Sequence, residues 1–210
     1  MAGTEIQRSV PISKRALDLL ITIPGLLVLS PVLVIIAILV RMNFGSPIIF
    51  RQKRPGYKGK PFWIYKFRTM TNLVDNENNL LPDDQRITRL GLFLRSYSLD
   101  ELPELFNVLR GEMSWVGPRP LLMKYLERYS PDQARRHEVL PGITGWAQVN
   151  GRNALTWEEK FKLDVWYVDH WSIKLDIKIL LITVGKVLRR EGINQAGQVT
   201  AEEFMGSNDS

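Results

Sequence analysis

The chain has 210 residues, no cysteine and two histidines, His137 and His170, far apart in sequence. That length suits one domain with a sizeable core, while the missing cysteines exclude disulfides, thiolate nucleophiles and Cys-ligated metals, and so few histidines argue against a multi-histidine centre. Acid–base or nucleophilic chemistry therefore falls to carboxylates, hydroxyls, Lys or Tyr, and 28 Lys+Arg against 22 Asp+Glu, a net charge of +6, favours anionic partners.

Residues 1–13 form a polar lead. From Leu19 to Val40 no side chain is charged, and as a straight helix this run is long enough to cross a bilayer core. It is too long for a secretory signal, and no small-residue cleavage site follows. The segment 14–43 is therefore expected to be a membrane helix. Its path stays open on the residues alone. Arg8, Lys14 and Arg15 precede it, and Arg41, Arg51, Lys53 and Arg54 follow, whereas a single span biases Lys and Arg to one side. Pro31 lacks an N–H and crowds the carbonyl of Leu27, which bends a helix, and Ser30 is placed to bond a freed carbonyl. Pro24-Gly25 is a second weak point. A kinked span and a helix that enters and leaves through one leaflet both fit.

From 44 to 190 the pattern turns soluble. Pro47–Gln52 and Pro61–Phe67 read as two short strands around the turn Lys53–Lys60, rich in Gly, Pro and charge. Asn72–Asp84 reads as a polar loop, Arg86–Arg95 and Glu101–Leu109 as helices, and Gly111–Pro120 as a loop. Leu121–Tyr129 and Pro131–Glu138 read as short helices, and Pro141–Asn153 as a Gly-rich loop. Trp157–His170 and Ile173–Arg190 are amphipathic helices by apolar spacing; they either lie in the headgroup plane or pack on the core. Residues 191–210 form a polar tail, expected to be loosely held. The fold class is α+β, mainly helical, with a short β-hairpin.

Two adjacent carboxylates, Asp100 and Glu101, stand at a helix start. One can attack a phosphorus or carbon centre while the other binds a divalent metal; simple capping is the plainer alternative. Asp100 as the cap puts Pro103 in the first turn, where no N–H is missed. Ser98 as the cap, with Glu101 as its capping-box partner, puts Pro103 one turn in. Several basic groups shift the balance towards chemistry. Arg119 is framed by Pro118 and Pro120, Arg152 sits in a Gly-rich loop, Lys66 and Arg68 alternate about a strand end, and Arg95 precedes the acidic pair. Planar guanidiniums suit phosphate oxygens, and such loops rarely serve packing alone. There is no Walker A motif and no G-x-G-x-x-G.

These motifs, in order, resemble the small monotopic phosphoglycosyl transferases, the bacterial sugar-transferase family that begins lipid-linked glycan assembly. The resemblance runs from about Lys14 to Phe204. It rests on Lys14-Arg15 with Asp18, Ser30-Pro31, Tyr65-Lys66-Phe67-Arg68-Thr69-Met70, Leu94-Arg95-Ser96 and Asp100-Glu101-Leu102-Pro103. It continues through Leu105-Phe106-Asn107, Gly117-Pro118-Arg119-Pro120-Leu121, Pro141-Gly142-Ile143-Thr144-Gly145, Gln148-Val149-Asn150-Gly151-Arg152 and Asp164-Val165-Trp166-Tyr167. The length resembles the minimal catalytic form, without further membrane helices.

The resemblance implies transfer of a sugar 1-phosphate from a UDP-sugar to polyprenyl (undecaprenyl) phosphate, with release of UMP. It implies Asp100 as covalent nucleophile, Glu101 beside it, and Mg²⁺ held by this pair, in a ping-pong cycle. It implies phosphate contacts from Lys66, Arg68, Arg95, Arg119 and Arg152, with Pro118, Pro120, Gln148, Asn150 and Asp164 supporting the site. It also implies that Ser30-Pro31 makes the helix re-entrant, with both ends at the cytoplasmic face of a bacterial inner membrane and glycosyltransferases of the same pathway as partners. Leu80–Gly91 and the tail look most like members that use N-acetylated, dideoxy amino sugars. A non-catalytic membrane adaptor is the competing expectation, and it predicts no dependence on Asp100-Glu101. No nucleic-acid partner is expected, since no DNA or RNA motif accompanies the positive charge.

Overall fold

The computed structural model describes residues 10–151, 154–189 and 203–206. Helix α1 (Ile12–Phe44) has 33 residues, about 50 Å at 1.5 Å per residue. It runs unbroken through Pro24 and Pro31. The Leu27 carbonyl, which Pro31 cannot bond, accepts the Ser30 hydroxyl at 2.8 Å, so that carbonyl is not orphaned in an apolar medium. By length and composition α1 could cross a membrane, and little of its apolar stretch is buried against protein.

Its buried residues fall on one stripe: Lys14, Asp18 and Thr22 near one end, Ile36 and Val40 near the other. Lys14 Nζ donates to Asp176 (2.8 Å), Val116 O (2.9 Å) and Tyr167 Oη (3.1 Å). Asp18 accepts the Ser114 hydroxyl (2.8 Å) and the Trp115 amide (3.0 Å), and Thr22 accepts the Trp115 indole N–H. Ile36 and Val40 pack on Phe67 and Leu94. Both ends of α1 therefore dock on the same folded domain. Leu20, Ile23, Leu27, Val28, Val34 and Ile35 point outwards, exposed, an apolar flank far larger than a water-soluble surface tolerates.

Strands β1 (Ile49–Pro55) and β2 (Pro61–Phe67) form an antiparallel hairpin with Arg54 opposite Phe62 and Phe50 opposite Lys66. The first strand ends three residues later than the sequence predicts. The Gly56 amide closes the turn on Lys60 O at 2.8 Å, so Lys53–Pro55 joins the ladder. Helices α2 (Asp83–Arg86) and α3 (Arg89–Ser96) replace the single helix predicted over Arg86–Arg95, because Thr88 caps α3 through the Gly91 amide. A Cβ on Gly91 would stand 2.0 Å from Thr69 O. Only glycine lets α3 lie this close to the chain leaving β2.

Helix α4 (Glu104–Arg110) follows a 3₁₀ turn over Leu99–Glu101. Buried Asn107 fastens it to β2 by accepting the Tyr65 amide (3.2 Å) and donating to Trp63 O (2.7 Å). Arg15 of α1 donates to the Val108 and Leu109 carbonyls, where a cation also suits the C-terminal end of the helix dipole.

Two segments predicted as loops contain more structure. Strand β3 (Ser114–Val116) pairs in parallel with β4 (Gly142–Thr144), and α6 (Trp146–Asn150) follows. Leu121–Tyr129 is a 3₁₀ helix over Met123–Arg128, and Pro131–Glu138 divides into α5 (Pro131–Ala134) and a 3₁₀ turn. Helix α7 (Trp157–His170) starts from the capping box of Thr156 and Glu159 and turns Phe161, Val165, Tyr167 and Val168 into the core. Helix α8 (Ile173–Arg189) buries Asp176 and Ile179 while Ile177, Leu181, Val184 and Val187 stay exposed in a stripe. So α7 is a core helix, and α8 keeps the outward aliphatic face that an interfacial helix needs. Of the tail predicted to be loose, only residues 203–206 lie among the described residues, and these are held. Phe204 is buried among Tyr125, Tyr129, Trp157 and Phe161.

Candidate active site

The acidic pair serves neither predicted cap. Ser98 takes a left-handed conformation (φ 55°) with no side-chain cap, and Pro103, not Ser98 or Asp100, stands at the N-cap of α4. A non-glycine residue with positive φ is uncommon and stores strain. Here it turns the chain sharply before Asp100, and both carboxylates are left for other partners.

Glu101 is held by two cations. Its Oε1 accepts Lys66 Nζ at 2.6 Å and Arg119 Nη2 at 2.5 Å. Lys66 also stands 3.2 Å from Glu104 Oε1, which is buried and otherwise lacks a hydrogen-bond partner among the described residues. Burial alone would raise the Glu101 pKa, but Arg119 and Lys66 outweigh it and hold this carboxyl well below the usual carboxylate range. Glu104 goes the other way. Burial, then the neighbouring Glu101, push it up to about 7. Lys66 is raised because the two glutamates overcome its burial.

Asp100 is 8 % exposed, and no described side chain hydrogen-bonds its carboxylate. Burial, then Glu101, raise its pKa, while Lys66, Arg95 and Arg119 pull it back. It is thus an unengaged carboxylate with a raised pKa, influenced by three cations. Arg95 is held through Nε by Thr69 Oγ1 at 3.1 Å, which leaves its terminal nitrogens without a partner among the described residues.

Arg119 owes its place to a rigid frame. The Gly117 amide donates to Thr144 O (2.9 Å) and the Gly142 amide to Pro118 O (3.0 Å), and Pro118 and Pro120 are both buried. A Cβ on Gly117 would stand 2.2 Å from Leu140 O, so this approach demands glycine. Behind the frame, buried Arg136 donates to Arg119 O at 2.8 Å and to Asp164 Oδ2 at 2.6 Å and 3.0 Å. Asp164 supports the site at one remove, through Arg136.

The remaining expected residues fall elsewhere. Arg68 does not face the acidic pair with Lys66. It lies past the end of β2, and its guanidinium donates to Met70 O, Phe44 O and Ser46 O, a strut from the hairpin to the end of α1. Gln148 donates to Ile143 O, and its Oε1 is sealed without a partner among the described residues. Asn150 donates to Trp146 O within α6, and no described contact brings it to the acidic pair. Arg152 lies outside the described residues.

Sequence reasoning missed Arg54, Glu104 and Arg136. Arg54 shares the hairpin face of Lys66 by register. Among the described residues its Nε is sealed without an acceptor and its side chain's one hydrogen bond is to Gln52 (2.7 Å), and burial, then Arg119, lower its pKa to about 10. A guanidinium short of an anion beside a second one is a ready phosphate contact. Its signal was present in the alternation of β1, hidden by a turn reading of Lys53–Lys60.

Magnesium takes oxygen ligands, often one or two carboxylates completed by water and substrate phosphates. Asp100, free of other hydrogen bonds, suits that role, with Glu101 adjacent. Among the described residues no group of three or more His, Cys, Asp or Glu side chains gathers around a common point, so a bound ion would draw most of its shell from water and diphosphate.

The model of the bacterial sugar transferase family matches residues 9–190. The chain is 59 % identical to the uncharacterized sugar transferase EpsL of Bacillus subtilis, over 94 % of this chain and 98 % of that one. It is 44 % identical to the UDP-glucose:undecaprenyl-phosphate glucose-1-phosphate transferase of Escherichia coli, over 82 % of this chain and 39 % of that one. It is 40 % identical to the undecaprenyl-phosphate galactose phosphotransferase of Salmonella typhimurium, over 89 % and 42 %. The chain thus spans about two fifths of the length of the relatives whose activity is named, and nearly all of EpsL.

Proposed function

Because the chain belongs to the bacterial sugar transferase family, we propose that it moves a sugar 1-phosphate from a UDP-sugar to polyprenyl phosphate, releasing UMP, as the first membrane step of glycoconjugate assembly. The observation that carries this reading is Asp100, a buried carboxylate without a hydrogen bond among the described residues beside Lys66, Arg95 and Arg119, while its neighbour Glu101 is held by two cations on one oxygen.

An Asp100 oxygen attacks the β-phosphorus of the sugar nucleotide. An O–P bond forms, the bond to the bridging oxygen breaks, and UMP leaves with that electron pair. A phosphate oxygen of the polyprenyl phosphate then attacks the same phosphorus, and Asp100 regains its carboxylate. The two half-reactions give a ping-pong order. Arg95, with free terminal nitrogens, and Arg54 face the phosphoryl oxygens, and Arg119 stands where it can share its charge between Glu101 and the leaving phosphate. Lys66 stays with Glu101 and keeps it ionised, so Glu101 cannot compete as a proton donor. Mg²⁺ on Asp100 and Glu101 would supply further positive charge to the diphosphate.

The acceptor phosphate lies at headgroup level, and the docking of α1 supports a matching topology. A helix fastened near both ends to one domain keeps both ends on one side of a bilayer, so α1 sits in one leaflet with its exposed apolar flank in lipid and the domain at the cytoplasmic face. Single cysteines at positions 4 and 58 of this cysteine-free chain should both label from the cytoplasmic side only; labelling from opposite sides would make α1 a span.

The test of the reaction is UMP release by detergent-solubilised protein with Mg²⁺, polyprenyl phosphate and UDP-glucose, UDP-galactose and UDP-linked N-acetylated dideoxy amino sugars. Release with at least one donor, lost in Asp100→Asn, is expected. Folded protein silent with every donor, or turnover surviving in Asp100→Asn, would overturn the reading.

A further inference from the structure

We propose that Phe204, which lies past the end of the family-model match at residue 190, is a positioning residue for Arg119. The family match ends at residue 190, yet residues 203–206 return to the domain and close an aromatic box. The Phe204 ring is 3 % exposed. It meets Phe161 edge-on at 4.9 Å and Tyr125 edge-on at 5.6 Å, and it stacks on Tyr129 at 5.9 Å. Such aromatic contacts are directional as well as apolar. Polar contacts fix the segment at the same place. The Phe204 amide donates to Tyr125 Oη at 3.1 Å, Phe204 O accepts Arg128, and Glu203 pairs with Lys124 (2.6 Å) and Arg128 (2.8 Å).

This box has two routes to Arg119. The first is through Tyr129, the shared wall. Its ring carries Phe204, and its hydroxyl accepts Arg136 Nη1 at 3.2 Å. Arg136 in turn holds Arg119 O, and Arg119 holds Glu101. The second is along the chain, since Lys124 and Arg128 lie on the 3₁₀ helix that begins four residues after Arg119. The tail thus clamps the segment that leaves the Arg119 loop and braces the residue that holds the loop from behind. Without Phe204 the box has a gap on one side of Tyr129, and the Arg136 strut loses its backing. Strand β1, which carries Arg54, packs on the same 3₁₀ helix.

The inference rests on the transferase reading for its kinetic readout, so it is also tested by binding alone. The proteins are the full chain, Phe204→Ala, Phe204→Tyr, a chain ending at residue 202, and Arg119→Ala with and without Phe204→Ala. Measured are UDP affinity by calorimetry, KM and kcat for the UDP-sugar, and thermal unfolding. Phe204→Ala and the shortened chain should lose about tenfold in UDP affinity and raise KM more than they lower kcat. Phe204→Tyr should keep most of both, and a synthetic peptide of residues 199–210 should restore the shortened chain. In the Arg119→Ala background Phe204→Ala should cost less than twofold further, the mark of residues acting through one another.

Wild-type UDP affinity in the shortened chain would overturn the proposal. So would full additivity with Arg119→Ala, or a loss that tracks unfolding and that the peptide does not reverse. If the full chain binds UDP but shows no turnover with any donor, the transferase reading fails, while the affinity arms still decide whether Phe204 acts on Arg119.

Discussion

Two of the lysine–carboxylate groups among the described residues are drawn into the domain, one behind α1 and one beneath the hairpin, and they are finished differently. Lys14 is 3 % exposed at its side chain, and all three of its donor directions are used, on Asp176, Val116 O and Tyr167. Asp176 in turn accepts Tyr167 at 2.6 Å and Trp171 at 3.1 Å. Lys66 is shared between Glu101 and Glu104, whose buried Oε1 has nothing but this lysine, and Asp100 next door has no side-chain hydrogen bond or ion pair among the described residues. A fully satisfied buried network specifies a fold. A network with carboxylates to spare holds charge ready for a ligand, and perturbed groups of this kind cluster where chemistry is done.

The comparison can be broken from either side. The largest effect is expected at the unfinished site. Asp100→Asn should lower kcat by about 10⁴-fold, roughly 5 kcal/mol of activation free energy, with an unchanged melting profile. Steady-state UMP release and thermal unfolding together check this, and a variant that loses its fold would remove the contrast. At the finished site, Lys14→Met strands a buried Asp176, and breaking a buried pair costs about 3–5 kcal/mol. Thermal unfolding in detergent should show a large loss, and a stable, inactive variant would mean that Lys14 serves the reaction instead.

The third effect concerns pH. Glu104 titrates near 7 in the folded chain against an ordinary value of 4.5. A carboxyl with a raised folded pKa stabilises most below its unfolded pKa, and that contribution is lost as pH rises to the folded value. The full chain should therefore lose stability between about pH 4.5 and 7 more steeply than Glu104→Gln. Parallel profiles would return Glu104 to the finished class. The smallest effect is at Ser98. Relieving its positive φ in Ser98→Gly should change stability by less than about 1 kcal/mol, the unfolded chain's gain in freedom opposing the relief. Ser98→Val should cost more than that, since a β-branched residue is a poor occupant of the left-handed region. Equal melting temperatures for the two variants would show that the turn carries no strain.

What was legible in the sequence follows from which signals are local. Helix α7 was read to the residue from its apolar spacing over 14 positions, and the capping box that fixes its start is itself local. The second strand and the long apolar helix were equally plain. The β3–β4 pairing escaped because three-residue parallel strands have no periodicity of their own and exist through backbone contacts across two glycines. Arg68 was misplaced because alternation was extended one residue past the end of β2, where the chain already turns to brace α1. Arg54 was lost to a turn reading, and Phe204 to a polar tail in which one aromatic side chain seeks a box built from two other segments. In each case the deciding partner is remote in sequence, and composition cannot report it.

The account stands most directly on Asp100 as a covalent nucleophile. The measurement is mass spectrometry of the protein after brief incubation with Mg²⁺ and its UDP-sugar, without polyprenyl phosphate, alongside the UMP released. The account predicts one UMP per chain and a phosphosugar mass on the peptide that contains Asp100, discharged when the lipid is added. UMP formation strictly dependent on the lipid, with an unmodified Asp100 peptide throughout, would contradict it.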